Sequence, residues 1–156
     1  MTAKSGWVEV TVGVLEEQGT LRALQPSLTI ADGDVLSLEE KFQGGTGINI
    51  TPPPEEVLSK EVCAQVRQRI ERIAQVLGIR GYARLDAFVE RTHGRVMVIE
   101  ANTLPGLTPS TVLFHQGIAE QPSLMPLEFL ERIIAAALSK SPNALDVLEW
   151  SFPGDL

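Results

Sequence analysis

The segment that most constrains this chain is a two-faced strand followed by its partner. From Tyr82 to Val89, the residues Tyr82, Arg84, Asp86 and Phe88 alternate with Ala83, Leu85, Ala87 and Val89. That two-residue period belongs to a strand whose faces differ. Thr92, His93 and Gly94 supply a turn, and Val96 to Ala101 is rich in β-branched residues. Together they predict a hairpin with its loop centred near His93. Pairing about that centre sets Asp86 opposite Glu100 and Arg84 opposite Asn102. Because alternate residues share a face, all four polar groups project from one side.

Two carboxylates, an amide oxygen and a guanidinium in one place point to a particular chemistry. Hard oxygen donors without Cys or His suit magnesium or manganese better than zinc. Magnesium usually binds through one or two carboxylates plus substrate phosphates, so a neighbouring arginine suggests a phosphoryl group in transit. An exposed hairpin with a cross-strand ion pair has the same residue pattern, and spacing does not choose between the two. Downstream, residues 102–111 form a Pro- and Gly-punctuated, hydroxyl-rich loop that enters an apolar segment at Val112. Gly106 lets backbone approach a ligand, and amides ahead of a new helix can receive an oxyanion.

The rest of the chain reads as support. Trp7 to Ile50 is β-rich, broken at Gly19, at Asp32-Gly33-Asp34 and at Gly44-Gly45-Thr46-Gly47. The last break lacks the following helix and Lys-Ser or Lys-Thr pair of a P-loop and reads as a turn closing over the site. Pro52 to Glu56 leads into a helix reaching Leu77, with Val62, Val66, Ile70, Ile73 and Leu77 on one stripe and Gly78 as its stop. That helix is expected to back the hairpin. A last helix, Pro126 to Leu138, places Leu127, Leu130, Ile133, Ile134 and Leu138 at helical spacing, read as core positions. Trp7 reads as core, His93 as a solvated turn residue and His115 as packing within a loop.

The 156 residues, 44% of them hydrophobic, suit one folded domain. A net charge of −7 argues against a nucleic-acid partner, while local cations still admit ATP. The single cysteine, Cys63, excludes an internal disulfide and fits a reducing, cytoplasmic setting. No signal peptide or apolar run of membrane length is present, so no membrane partner is expected. Residues 1–5 are a polar lead, 6–138 the domain, and 139–156, with Trp150 and Phe152, a tail of unassigned role.

Gly81-Tyr82-Ala83-Arg84-Leu85-Asp86, followed by Val98-Ile99-Glu100-Ala101-Asn102-Thr103-Leu104-Pro105-Gly106-Leu107-Thr108, resembles the C-terminal half of D-alanine:D-alanine ligase, an ATP-grasp enzyme. Upstream, Glu40-Lys41-Phe42-Gln43-Gly44-Gly45-Thr46, Pro52-Pro53-Pro54 and the Trp7 to Val14 strand fit the same pattern in the same order. The likeness runs from about Gly6 to Leu138. It implies an α+β fold, an antiparallel sheet with packed helices forming the C-terminal part of an ATP-grasp fold. It further implies that Asp86, Glu100 and Asn102 hold two Mg2+ (or Mn2+) ions against ATP phosphates, with Glu100 bridging them.

By the same resemblance, Arg84 stabilises the acyl-phosphate and the tetrahedral intermediate, with the Gly106 amide as oxyanion partner. Lys41 neutralises the transferring γ-phosphate, and Glu9 serves the nucleotide ribose. Thr111 and Val112 receive the second substrate's carboxylate, Thr111 standing where the family usually has serine. Phe42 departs from the family's usual tyrosine, a change associated with ligases that accept D-lactate. The family's N-terminal and central domains have no counterpart ahead of Gly6, so the chain reads as a C-terminal fragment with little or no ligase activity alone. A D-alanine:D-lactate ligase fragment, another carboxylate–amine ligase and a non-catalytic module that keeps the ATP-grasp fold remain open. Two carboxylates held together against their repulsion favour a catalytic origin.

Overall fold

The computed structural model describes residues 6–30 and 48–139. The expected breaks at Asp32-Gly33-Asp34 and Gly44-Gly45-Thr46-Gly47 lie outside them, as do Lys41, Phe42, Trp150 and Phe152. Within the described residues the strands are β1 (Trp7–Glu17), β2 (Thr20–Ala23), β3 (Ser27–Ile30), β4 (Ile48–Ile50), β5 (Tyr82–Glu90) and β6 (Val96–Asn102). The helices are α1 (Lys60–Val76), α2 (Val112–Ile118) and α3 (Pro126–Leu138). The six strands form one sheet in the order β4-β3-β1-β5-β6, with β2 pairing β1 at its far end. Every pairing is antiparallel.

Alternation along β1 and β5 divides the sheet into an apolar and a polar face. Val10, Val12 and Val14 share one side with Ala83, Leu85, Ala87 and Val89, and all are fully buried. Against them lie Val62, Cys63, Val66, Ile70 and Ala74 of α1, completing the main core. The helix thus backs the hairpin, as its apolar stripe requires. Ser59 caps its start by accepting from the Val62 amide at 3.3 Å, satisfying one of the donors a helix N-terminus leaves open.

The end of α1 differs from the expected stripe. Leu77 is exposed and is the C-cap, while Ala74 and Ile79 take the buried positions. The helix turns away at Gly78, whose φ of 67° is left-handed, and the Ile79 amide bonds back to the Ala74 carbonyl. Ile79 thereby folds under the last turn, the apolar contact that commonly accompanies such a stop.

The opposite face is covered at one end. Leu15 of β1 meets Leu24, Leu113, Phe114, Leu124 and Phe129 in a second core. The rings of Phe114 and Phe129 stand edge to face at 5.6 Å. Gly13 makes this approach possible: a Cβ there would lie 2.5 Å from Leu113 Cδ2 and 2.7 Å from Gln116 Oε1. Helix α3 packs through Phe129, with Leu130 and Ile133 partly covered. Leu127 and Ile134, expected in the core, are 71% and 58% exposed, and Leu138 is also exposed. The helix is apolar on more than one side, and only the face carrying Phe129 meets the sheet. His115, expected to pack within a loop, is an exposed residue of α2.

Candidate active site

On the polar face, the register of β5 with β6 pairs Arg84 with Asn102 and Asp86 with Glu100. A bulge follows between Asp86 and Ala87, so that Ala87 pairs with Val98. The irregularity sits next to the two carboxylates, a common place for a strand to re-aim a side chain. Arg84 grips Asp86 with two parallel bonds, Nε to Oδ1 at 3.2 Å and Nη2 to Oδ2 at 2.9 Å. Its Nη2 also lies 3.5 Å from Glu100 Oε1. The side chain of Asp86 is 15% exposed and that of Glu100 50%, so the pair runs from the sheet into solvent.

A residue that spacing along the hairpin could not show completes the cluster. The Thr11 hydroxyl of β1 donates to Asp86 Oδ1 at 2.8 Å. Thr11 is the rung directly across from Asp86, and Gly13 stands across from Arg84. The signal was the alternation Glu9, Thr11, Gly13 in β1, which marks one face but says nothing of what it faces. Glu9 lies two residues before Thr11 and pairs with Phe88, so it shares this polar face.

The loop after β6 is anchored at both ends. The Leu104 amide donates to Asn102 Oδ1 at 3.1 Å, Pro105 is buried, and Leu107 packs on the second core. Gly106 is exposed, with open space where a side chain would stand. Thr111 is the N-cap of α2 but its side chain makes no capping bond, and Val112 opens the helix. Arg84, Asp86, Glu100 and Asn102 are thus brought together by the hairpin, while Gly106, Thr111 and Val112 lie on the loop and helix that leave it.

The donor set can be tested for a divalent cation. Asp86 uses three acceptor positions on Thr11 and Arg84, of about four that a carboxylate offers. Asn102 Oδ1 spends one lone pair on Leu104, and Glu100 is half exposed. Three hard oxygens therefore retain acceptor capacity on one face. Among the described residues no three His, Cys, Asp or Glu side chains converge, so a cation here would complete its shell from water and phosphate. That is the usual habit of magnesium and does not suit structural zinc. Local charge points the same way, with two carboxylates against one guanidinium.

The chain is similar in fold and in sequence to known proteins. In fold the chain is similar to a D-alanine-D-alanine ligase from Coxiella burnetii, with a TM-score of 0.65 at 22% identity over 90% of this chain and 34% of that one. A D-alanine--D-alanine ligase from Bacillus anthracis, solved in complex with ATP, matches with a TM-score of 0.58 at 20% identity over 85% of this chain and 38% of that one. The architecture is the C-terminal part of an ATP-grasp fold. Residues 4–134 match the family described as the D-ala D-ala ligase C-terminus, and the chain belongs to that family. A D-alanine--D-alanine ligase of Nitratidesulfovibrio vulgaris is 36% identical over 113 residues, 72% of this chain and 35% of that protein. The chain therefore spans about a third of the length of that relative.

Proposed function

We propose that this chain is the metal-and-arginine portion of an ATP-dependent D-alanine:D-alanine ligase, acting through an acyl-phosphate. The observation that carries the reading is the bidentate hold of Arg84 on Asp86 beside Glu100, in a chain of the ligase family. Residues 6–138 constitute this portion, and 139–156 a tail. The chain spans 35% of a curated relative, so the grip on the adenine and on the first D-alanine comes from elsewhere in the enzyme. The chain alone has little or no ligase activity.

In the reaction, a carboxylate oxygen of one D-alanine attacks the γ-phosphorus of ATP and the bond to the β,γ-bridging oxygen breaks, releasing ADP. The amine of a second D-alanine then attacks the acyl carbon. The tetrahedral intermediate collapses with loss of phosphate, and the amine proton goes to solvent or phosphate. Charge gathers first on phosphoryl oxygens and then on the former carbonyl oxygen, so donors fixed in advance do most of the work. Arg84 is such a donor: two of its nitrogens are tied to Asp86, which orients Nη1 without cost at the moment of reaction. Asp86, Glu100 and Asn102 would hold Mg2+ or Mn2+, which neutralises phosphate charge when bound.

The Gly106 amide receives the oxyanion, and Thr111 with the Val112 amide receives the second carboxylate. Their support is position: both follow directly from the strand that carries Glu100 and Asn102, and the Thr111 hydroxyl is not spent on capping. Glu9 serves the ribose, from the same face of the sheet as Asp86. Lys41 neutralises the γ-phosphate, and Phe42 in place of tyrosine bears on whether D-alanine or D-lactate is the acceptor. These last two assignments rest on sequence likeness.

The test is a chimaera in which this chain replaces the matching third of the N. vulgaris ligase. With MgATP and D-alanine it should release phosphate and form the dipeptide, read by mass spectrometry, whereas the isolated chain should release none. Adding D-lactate decides between amide and ester. Arg84→Ala should lower turnover by about 100-fold or more, the usual scale for losing a charge-stabilising donor. A folded chimaera that turns over equally well with Arg84→Ala would overturn the assignment.

A further inference from the structure

Gln116 is 0% exposed, and its side-chain amide makes three hydrogen bonds to β1 and β3. Oε1 accepts from the Gly13 amide at 2.8 Å. Nε2 donates to the Thr11 carbonyl at 2.8 Å and to the Ser27 hydroxyl at 2.9 Å. A backbone N–H on one side and a carbonyl on the other determine which end of the amide faces which.

The sheet explains why a side chain is needed there. Strand β3 pairs with β1 at Val10 and Thr11, and β2 pairs with it from Val14 to Glu17. Between the two the edge of β1 has no complete strand partner, and Gln116 supplies an acceptor and a donor at the spacing of a ladder rung. On the other edge of β1, Thr11 faces Asp86 and Gly13 faces Arg84. The two residues whose backbone Gln116 grips are therefore the two that stand across from the charged pair of the site. Thr11 then passes the constraint on, its hydroxyl donating to Asp86 Oδ1.

Gln116 also belongs to α2, the helix that opens with Val112 after Thr111. We propose that Gln116 is a positioning residue of the ligase site: its amide sets Thr11 and Gly13 at the height that orients Asp86 toward Arg84 and a cation, and ties that arrangement to the helix carrying the second-substrate residues. The proposal rests on the reading of the Arg84 hairpin as the active site. Gln116 touches no reacting atom and acts through Thr11.

The test uses the whole chain in four variants, Gln116→Met, Thr11→Val, the double variant and Ser27→Ala. Two quantities are read: the water-exchange rate of the Arg84 Nε–H by 15N NMR, and the Mn2+ dissociation constant by water-proton relaxation. Losing one hydrogen bond's worth of constraint should raise the exchange rate, and weaken Mn2+, by about five-fold in Gln116→Met. The double variant should match Thr11→Val alone, because two residues acting through one link do not add. Ser27→Ala keeps the amide and removes one of its anchors, so it should move both readings the same way by less. It serves as the deciding variant where Gln116→Met does not fold.

A lower melting temperature with unchanged Arg84 exchange and unchanged Mn2+ affinity would overturn the proposal, as would effects that multiply in the double variant. If the unmodified chain binds no Mn2+, the cation part of the site reading fails, a separate matter from whether Gln116 sets the geometry of Asp86 and Arg84. The Arg84 exchange rate then decides for Gln116 by itself, a raised rate supporting the proposal and an unchanged one overturning it.

Discussion

Asp86 accepts from Thr11 on one side and from Arg84 on the other, which leaves it little freedom to turn. The cluster is therefore fixed by the fold itself, with Glu100 as its half-exposed member. Glycine matters at Gly13 for a steric reason. Gly13→Ala would press a methyl into Leu113 and Gln116, and is expected to cost about 1–3 kcal/mol by chemical denaturation, the range for an overfilled core. Away from the site, Glu90 closes the hairpin turn by accepting from the amides of Thr92 and His93 and pairing with the His93 ring. Burial alone would push its carboxyl up, but the bonds from His93 and Thr92 outweigh that and hold it down to about 2. A depressed carboxylate contributes stability above its ordinary pKa and loses it as pH falls. Glu90→Gln should accordingly narrow its stability deficit against the unmodified chain between about pH 4.5 and 2, and an unchanged deficit across that window would refute the assignment.

At the scale of elements, the hairpin was legible because two local signals agreed, a two-residue period and a turn at Thr92 to Gly94. Asp86 opposite Glu100 and Arg84 opposite Asn102 follow from them. The bulge beside Asp86 was not legible, since it depends on how β6 settles against its neighbour. Nor were Thr11 and Gln116, whose bonds span 75 to 105 residues of chain and leave no periodic trace. Helix α3 shows a further limit: a helix with leucines and isoleucines on several sides does not reveal which side packs. Phe129→Ala should cost about 3–5 kcal/mol as a buried aromatic truncation. Leu127→Ser, on the exposed side, should stay within about 0.5 kcal/mol. Equal costs in a denaturant titration would restore the original assignment of Leu127 to the core. In α1, Ser59→Ala removes the one side-chain cap and should cost about 1 kcal/mol.

Over the whole molecule, one sheet separates two jobs. Its apolar face is sealed by α1, which makes β1 and β5 a rigid support. The described elements cover its polar face mainly at the Leu15 end, where α2 and α3 pack, and the charged cluster lies along the rest. Among the described residues no helix is long and apolar enough to cross a membrane. The family relationship was readable because its motifs occur in order along the chain, and the match over residues 4–134 establishes it. The hairpin brings two carboxylates, an amide oxygen and an arginine together, in a chain that spans 35% of a curated relative. The cation binding proposed for that cluster can be tested on this chain alone. The measurement that tests this most directly is a Mn2+ titration of the chain followed by water-proton relaxation, beside Glu100→Gln. The account predicts weak, saturable binding that Glu100→Gln abolishes with the fold intact. Equal binding by both proteins would show that the paired carboxylates of the hairpin are an ordinary surface ion pair.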